Sequence, residues 1–274
     1  AVVISITAFF IKVIFLFFLD RFGKTNGDFM KKTSLSLCAV ALLLSLTACN
    51  DKMDPNDPQS VRKYLEKQQI AVSANNFVNA AANGDTARMT LFLQAAFEID
   101  ASNDAGNNAV AIAVNKGNLE MLNWLFAHGA KANVTNSNGE TVLDNAVAMG
   151  HKEVVVRLLE QLKTENVAPE AMSSAVLFAA KTGKADMLQI LGDAGLPLEN
   201  RGADGYYPIH LAVKGGHYDA LMYLLSKKVD VNIKCKQGYS VLDWAKNEGY
   251  TRLIKEVQKA GGKNTPAYIK EFGR

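Results

Sequence analysis

Histidine and cysteine are scarce in this 274-residue chain, with four of the first and three of the second. His128, His151, His210 and His217 form no HExxH-type pair, and Cys235 has no candidate ligand beside it. A metal site needs several such donors at set spacings, so none is expected. The chain also lacks a Gly-x-Ser-x-Gly elbow and a P-loop, and Gly202-Ala-Asp-Gly205 reads as a turn. These absences argue against an enzyme and against any cofactor. Charge imbalance is small too. Thirty basic residues face 27 acidic ones, and residues 1–48 hold five of the basic (Lys12, Arg21, Lys24, Lys31, Lys32) and two of the acidic (Asp20, Asp28). The remainder is neutral, with 25 of each sign, and offers nucleic acid no electrostatic footprint.

What the chain has is a period. Gly84, Gly117, Gly150, Gly183, Gly216 and Gly249 are spaced by 33 residues. Four positions before each stands an alanine, from Ala80 to Ala245, and seven before each an apolar residue, from Phe77 to Leu242. Apolar residues recur five and eight positions after, from Met89/Phe92 through Leu188/Leu191 to Ile254/Val257. A period of this length marks a stack of units, each too small to bury its own core.

The fifth unit shows the physics. Pro208 suits a first helical turn, Ile209 and Ala212 share one face, and Gly216 ends the helix in a left-handed turn. Leu221, Leu224 and Leu225 line a second helix. The segment Tyr207-Pro-Ile-His-Leu-Ala212 resembles the Thr-Pro-Leu-His-Leu-Ala of ankyrin repeats, and His128-Gly-Ala-Lys-Ala-Asn133 and Val229-Asp-Val-Asn232 resemble their Gly-Ala-Asp-Val-Asn ending. The resemblance runs from about Ser73 to Gly262 (73–262) and implies an all-α solenoid of about six 33-residue helix-turn-helix units with hairpin fingers. It also gives His210 a hydrogen-bonding role between repeats. Asp144 and Asp243 take that slot in repeats three and six, too far apart along a stack to act as a pair. Asn118 and Asp85 are good helix caps, as is Thr141. Repeat three ends irregularly: Leu162-Lys163 stand where Gly-Ala is usual, and Met172 stands where a turn glycine is usual. A longer second helix and an irregular finger are expected there.

Two apolar stretches come first. Ala1–Leu19 is long enough to span a bilayer. From Met30, Lys31-Lys32, an apolar run Leu35–Leu46 and Leu46-Thr-Ala-Cys49 have the layout of a removable secretory signal. Its end resembles the bacterial lipobox, which implies that Cys49 is lipidated and becomes the N-terminus; an ordinary thiol after a signal peptide is the alternative. Residues 1–29 are then expected to be over-extended translation, with a transmembrane helix as the alternative, and 30–48 the signal. Asn50 in place of aspartate favours the inner leaflet of the outer membrane over the inner membrane. With Cys38 lost and Cys49 acylated, Cys235 has no disulfide partner. Residues 49–60, with Pro55 and Pro58, read as a tether, 61–72 as a capping helix, and 263–274 as a tail of unassigned structure.

The resemblance also implies a concave binding face made by fingers and first helices. On it, the column just after the turn glycine reads Asn107, Glu140, Ser173, Tyr206, Tyr239. Exposed tyrosines are typical anchors. Tyr206, Tyr207, Tyr239, Glu140, Asn107 and Lys214 are the candidate protein-binding residues; the alternative is that Tyr206 and Tyr239 stack on each other as fold residues. The expected function is a non-catalytic, monomeric protein-binding module, facing the periplasm and held to the membrane by lipid on Cys49. It would bind or inhibit a protein partner, in an immunity-like role or a stress role like that of the bacterial periplasmic ankyrin proteins associated with peroxide defence. A structural spacer in the envelope is the alternative.

Overall fold

The computed structural model describes residues 53–135 and 139–272. The leader, the signal segment and Cys49 lie outside them, so their expectations rest on sequence. In chain order come α1 (Pro58–Lys67), α2 (Ala74–Asn83), α3 (Thr86–Gln94), α4 (Ala109–Asn115), α5 (Leu119–Ala127), α6 (Val142–Met149) and α7 (Lys152–Thr164). A 3-10 turn at Pro169–Met172 precedes α8 (Ser173–Lys181), α9 (Ala185–Asp193), α10 (Pro208–Lys214), α11 (Tyr218–Ser226), α12 (Val241–Asn247), α13 (Thr251–Lys259) and α14 (Pro266–Phe272).

These residues fall into two units. The first joins the chain up to Val72 with Ala87–Phe97. Here α1 starts at Pro58, three residues before the expected boundary, because Asp57 caps it by accepting from the Gln59 and Ser60 N–H groups. Val61, Leu65, Met89 and Phe92 are fully buried, and Arg62 Nε donates to the Ala95 carbonyl at 2.9 Å.

The second unit, Ser73–Thr86 with Glu98 onward, carries the stack. One row is α2, α4, α6, α8, α10 and α12, each packed on the next; the other is α5, α7, α9, α11 and α13. The period alanines make the first row possible. Ala113, Ala146, Ala179, Ala212 and Ala245 are at most 1% exposed, and a larger side chain there would separate neighbouring helices. Leu122, Leu125, Val155, Leu158, Leu188, Leu191, Leu221 and Leu224 are fully buried between the rows. Each such side chain contributes about 1.5–3 kcal/mol relative to exposure.

The fingers are closed turns, not laddered strands; among the described residues the β-pairing is one bridge, Thr135 to Thr141. Three fingers close identically. The first residue's N–H donates four positions on, as in Asn103 to Asn107 (2.8 Å), Gly202 to Tyr206 (2.8 Å) and Cys235 to Tyr239 (3.0 Å). The irregular joint is also resolved. Helix α7 runs 13 residues where α5, α9 and α11 run 9. Its left-handed terminal residue is Asn166, four past the Leu162 position, while Gly129 and Gly195 keep the regular place in the flanking repeats. One extra turn therefore consumes the finger. Glu165, just past that turn, accepts from the backbone N–H groups of Ala132 (2.7 Å) and Asn133 (3.1 Å) in the preceding finger.

Candidate protein-binding face

The candidate residues sit in fingers and on the inner helix row of the second unit. Asn107 is half-buried and tied into its own finger through Asn103 Oδ1 (3.0 Å); Glu140 is exposed. Ser173 starts α8, its hydroxyl donating to Glu170 and accepting from Asn200. The tyrosine end is built differently from the expectation. Tyr206 is 8% exposed, so it is not a free anchor. Trp244 on α12 meets it edge-on at 5.5 Å and meets Tyr239 edge-on at 6.1 Å. The two tyrosines thus share a tryptophan between them instead of stacking on one another. The exposed Lys214 places its ammonium 4.6 Å from the Tyr206 ring centre and 4.9 Å from that of Trp244. The Tyr206 hydroxyl accepts from Gln237 Nε2 at 3.1 Å and Lys214 Nζ at 3.4 Å. Tyr207 and Tyr239 are half-buried and keep surface for a partner. Tyr207 precedes α10 without a side-chain cap, and Pro208 starts that helix.

The slot of Asp144, His210 and Asp243 carries onward hydrogen bonds at its two aspartates. Ser174 Oγ donates to Asp144 at 3.1 Å. Asp243, 1% exposed, accepts from Ser240 N, Asn264 Nδ2, Thr265 N and Thr265 Oγ1. Burial pushes its carboxyl up, but those hydrogen bonds outweigh it and hold the group below its ordinary value. Both aspartates also complete capping boxes, with Thr141 and Ser240. His210 is fully buried, and among the described residues neither ring nitrogen has a hydrogen-bond partner. Burial lowers its pKa to about 4, against a weaker upward pull from the Tyr239 and Ile233 backbone. The expected hydrogen-bonding role is therefore not made by this imidazole in ordinary geometry; it is a neutral packing group.

The other histidines also pack. His217 Nε2 lies 2.9 Å from the Lys181 carbonyl, and His128 stacks on Trp124 at 3.9 Å. Among the described residues no cluster of His, Cys, Asp or Glu could hold a metal ion, and no helix is long and apolar enough to cross a membrane. On the outer row, an open groove of about 1000 Å³ lies between α7 and α9, lined by Val156, Leu159, Ile190 and Leu196.

Sequence reading missed Trp244 and Tyr268. Tyr268 on α14 meets Tyr239 edge-on at 6.3 Å, and the Tyr239 hydroxyl donates to Glu271 at 2.7 Å. Trp244 was legible as the aromatic one position past Asp243 on an inner helix. Tyr268 falls outside the 33-residue register.

Comparison with known proteins agrees with this architecture. Residues 110–159 match a family model described as ankyrin repeats (many copies), and residues 175–265 match one described as ankyrin repeats (3 copies). Over 167 residues the chain is 28% identical to the human transient receptor potential cation channel subfamily A member 1, covering 61% of this chain and 13% of that protein. Over 124 residues it is 34% identical to mouse cyclin-dependent kinase 4 inhibitor B, covering 45% of this chain and 92% of that one. The crystal structure of an ankyrin repeat domain from Acinetobacter baumannii superposes with a TM-score of 0.60 at 22% identity, over 68% of this chain and 98% of that chain. The chain belongs to the ankyrin-repeat family.

Proposed function

We propose that this chain is a non-catalytic module that binds, and by binding inhibits or recruits, a protein partner in the bacterial envelope. The observation that carries this reading is a constant scaffold with a changing surface. The fingers at Asn103, Gly202 and Cys235 close with the same hydrogen bonds. The residue at the end of each closure changes from half-buried Asn107 to half-buried Tyr239, and exposed Glu140 holds the equivalent place in repeat three, while Tyr206 in that column is buried and belongs to the frame. A surface that varies on a fixed frame suits recognition. Similarity to a protein named as a kinase inhibitor supports inhibition as the mode. The face runs from Glu140 to the half-buried Tyr207 and Tyr239, with Lys214 beside them. Lipid on Cys49 holds the repeats at a membrane surface, in the periplasm, with the outer membrane's inner leaflet the favoured site.

Two measurements test this. Cells fed labelled palmitate are expected to label the wild-type chain and not Cys49→Ala; label on the variant contradicts the anchor. Affinity capture from detergent-solubilised envelopes is expected to recover a saturable partner that is lost with Tyr207→Ala plus Tyr239→Ala. Equal recovery by that double variant contradicts the assigned face.

A further inference from the structure

Helix α14 begins as an inner helix of the stack does. Thr265 Oγ1 accepts from Tyr268 N at 3.3 Å, and Pro266 takes the first turn, as Pro208 does in α10. Thr265 follows Ser240 by 25 residues, whereas Ser240 follows Tyr207 by 33. The shortfall is the length of a finger, and α14 lies against Tyr239. Tyr239 receives two groups from it: the Tyr268 ring, edge-on with an interplanar angle of 87°, and the Glu271 carboxylate, which accepts from the phenol. Tyr268 and Glu271 are one helical turn apart and share a face.

The two ends of this segment are held unequally. Thr265 is 4% exposed and bonded through both N–H and hydroxyl to buried Asp243. Beyond it, Pro266, Ala267, Ile269 and Lys270 face water, Ile269 to 55%. Seven residues are too few for a helix to persist alone in water. Its closed position therefore depends on what it meets on the stack, and such segments open locally at little cost.

We propose that α14 is a displaceable resident of the Tyr239 end of the finger face, hinged at Thr265, and that the protein segment displacing it presents the same chemistry: an aromatic ring and a carboxylate one helical turn apart. This rests on the reading of that face as the binding face. Tyr239 then serves as a shared receptor, satisfied by Glu271 when no partner is bound.

The test uses the full chain and a fluorescein-labelled peptide with the sequence of residues 263–274. A tethered segment competes at an effective concentration of roughly millimolar. The double variant Tyr268→Ala, Glu271→Lys is expected to bind the peptide about tenfold more tightly than wild type, by anisotropy. A peptide carrying the same two changes should bind neither chain. Equal binding by both chains, or no binding by a variant with wild-type circular dichroism, overturns the proposal. A milder change gives a second readout. Tyr239→Phe should speed amide exchange at residues 267–272 several-fold while leaving α12 and α13 unchanged, and unaltered exchange there overturns it. Peptide binding without a recovered envelope partner would remove the binding-module reading and with it the displacing segment, leaving only the reversible docking of α14 on Tyr239.

Discussion

A Cβ placed on Gly117 would stand 2.8 Å from the ring of His151, the residue that follows the period glycine of the next repeat. Tyr250 bears on Gly216 in the same way, at 2.9 Å. At Gly117, Gly183 and Gly216 the recurring glycine thus does two jobs, whereas Gly84 and Gly249 face open space. It ends a helix in the left-handed region, with φ of +64° at Gly117, and it seats a ring from the adjoining repeat.

Gly117→Ala should therefore cost more than Gly249→Ala, whose φ is +73° but whose added methyl meets open space. The left-handed conformation alone costs about 1–2 kcal/mol for a residue with a Cβ. Chemical denaturation is expected to show Gly117→Ala less stable than Gly249→Ala, with the excess shrinking in a His151→Ala background. Equal losses would mean that the His151 contact carries no weight.

The buried neutral His210 predicts an acid sensitivity. Above the unfolded value of 6.5 both states are neutral and the group contributes no pH dependence. As pH falls through 6.5 the unfolded chain takes up a proton, while the folded chain resists until about 4. Stability is thus lost between these values, by about 3 kcal/mol at the lower one. Urea midpoints measured from pH 7 to 4 should fall less steeply in His210→Leu than in wild type; parallel curves would contradict this.

Glu165 makes the third prediction. Its carboxylate accepts from two successive backbone N–H groups of the preceding finger, where Asp100 and Glu199 each serve one, at Lys131 and Asp230. Glu165→Ala should destabilise by about 1–3 kcal/mol, the cost of leaving such donors unpaired. Hydrogen exchange should rise first at Ala132 and Asn133 and across 161–174, ahead of the finger at 195–206. Uniform exchange along these segments would contradict a weak joint.

Tyr206 and Tyr239, one period apart, should now behave oppositely. Tyr206 is enclosed by Trp244, Lys214 and Gln237, so Tyr206→Ala is expected to cost about 3–5 kcal/mol of stability, as aromatic truncations in cores do. Tyr239 is half-buried, and its truncation should change partner capture more than the melting temperature. A stable Tyr206→Ala would contradict its assignment to the core.

Much of this was legible because repetition forces it. A period of 33 with alanine four before glycine fixes which side chains must meet between repeats, and the buried positions from Val110 to Leu242 follow that rule. Exposure of Tyr206 was misjudged because the column was read down the fingers, while burial there is set by Trp244 from the next repeat's helix. Helix α14 was missed because its Thr265-Pro266 start arrives eight residues early for the register. The extra turn of α7 was anticipated from Leu162-Lys163, but not the Glu165 clamp, since one carboxylate in a loop has no sequence signal of its own.

The central claim is that a protein partner binds the finger side. Site-specific photo-cross-linking in living cells tests it most directly, with benzoylphenylalanine placed in turn at Glu140, Tyr207 and Gln237 on that side and at Val156 and Gln189 beside the outer groove. The account predicts one shared adduct from the finger positions and none from the groove. An adduct confined to Val156 and Gln189 would contradict it.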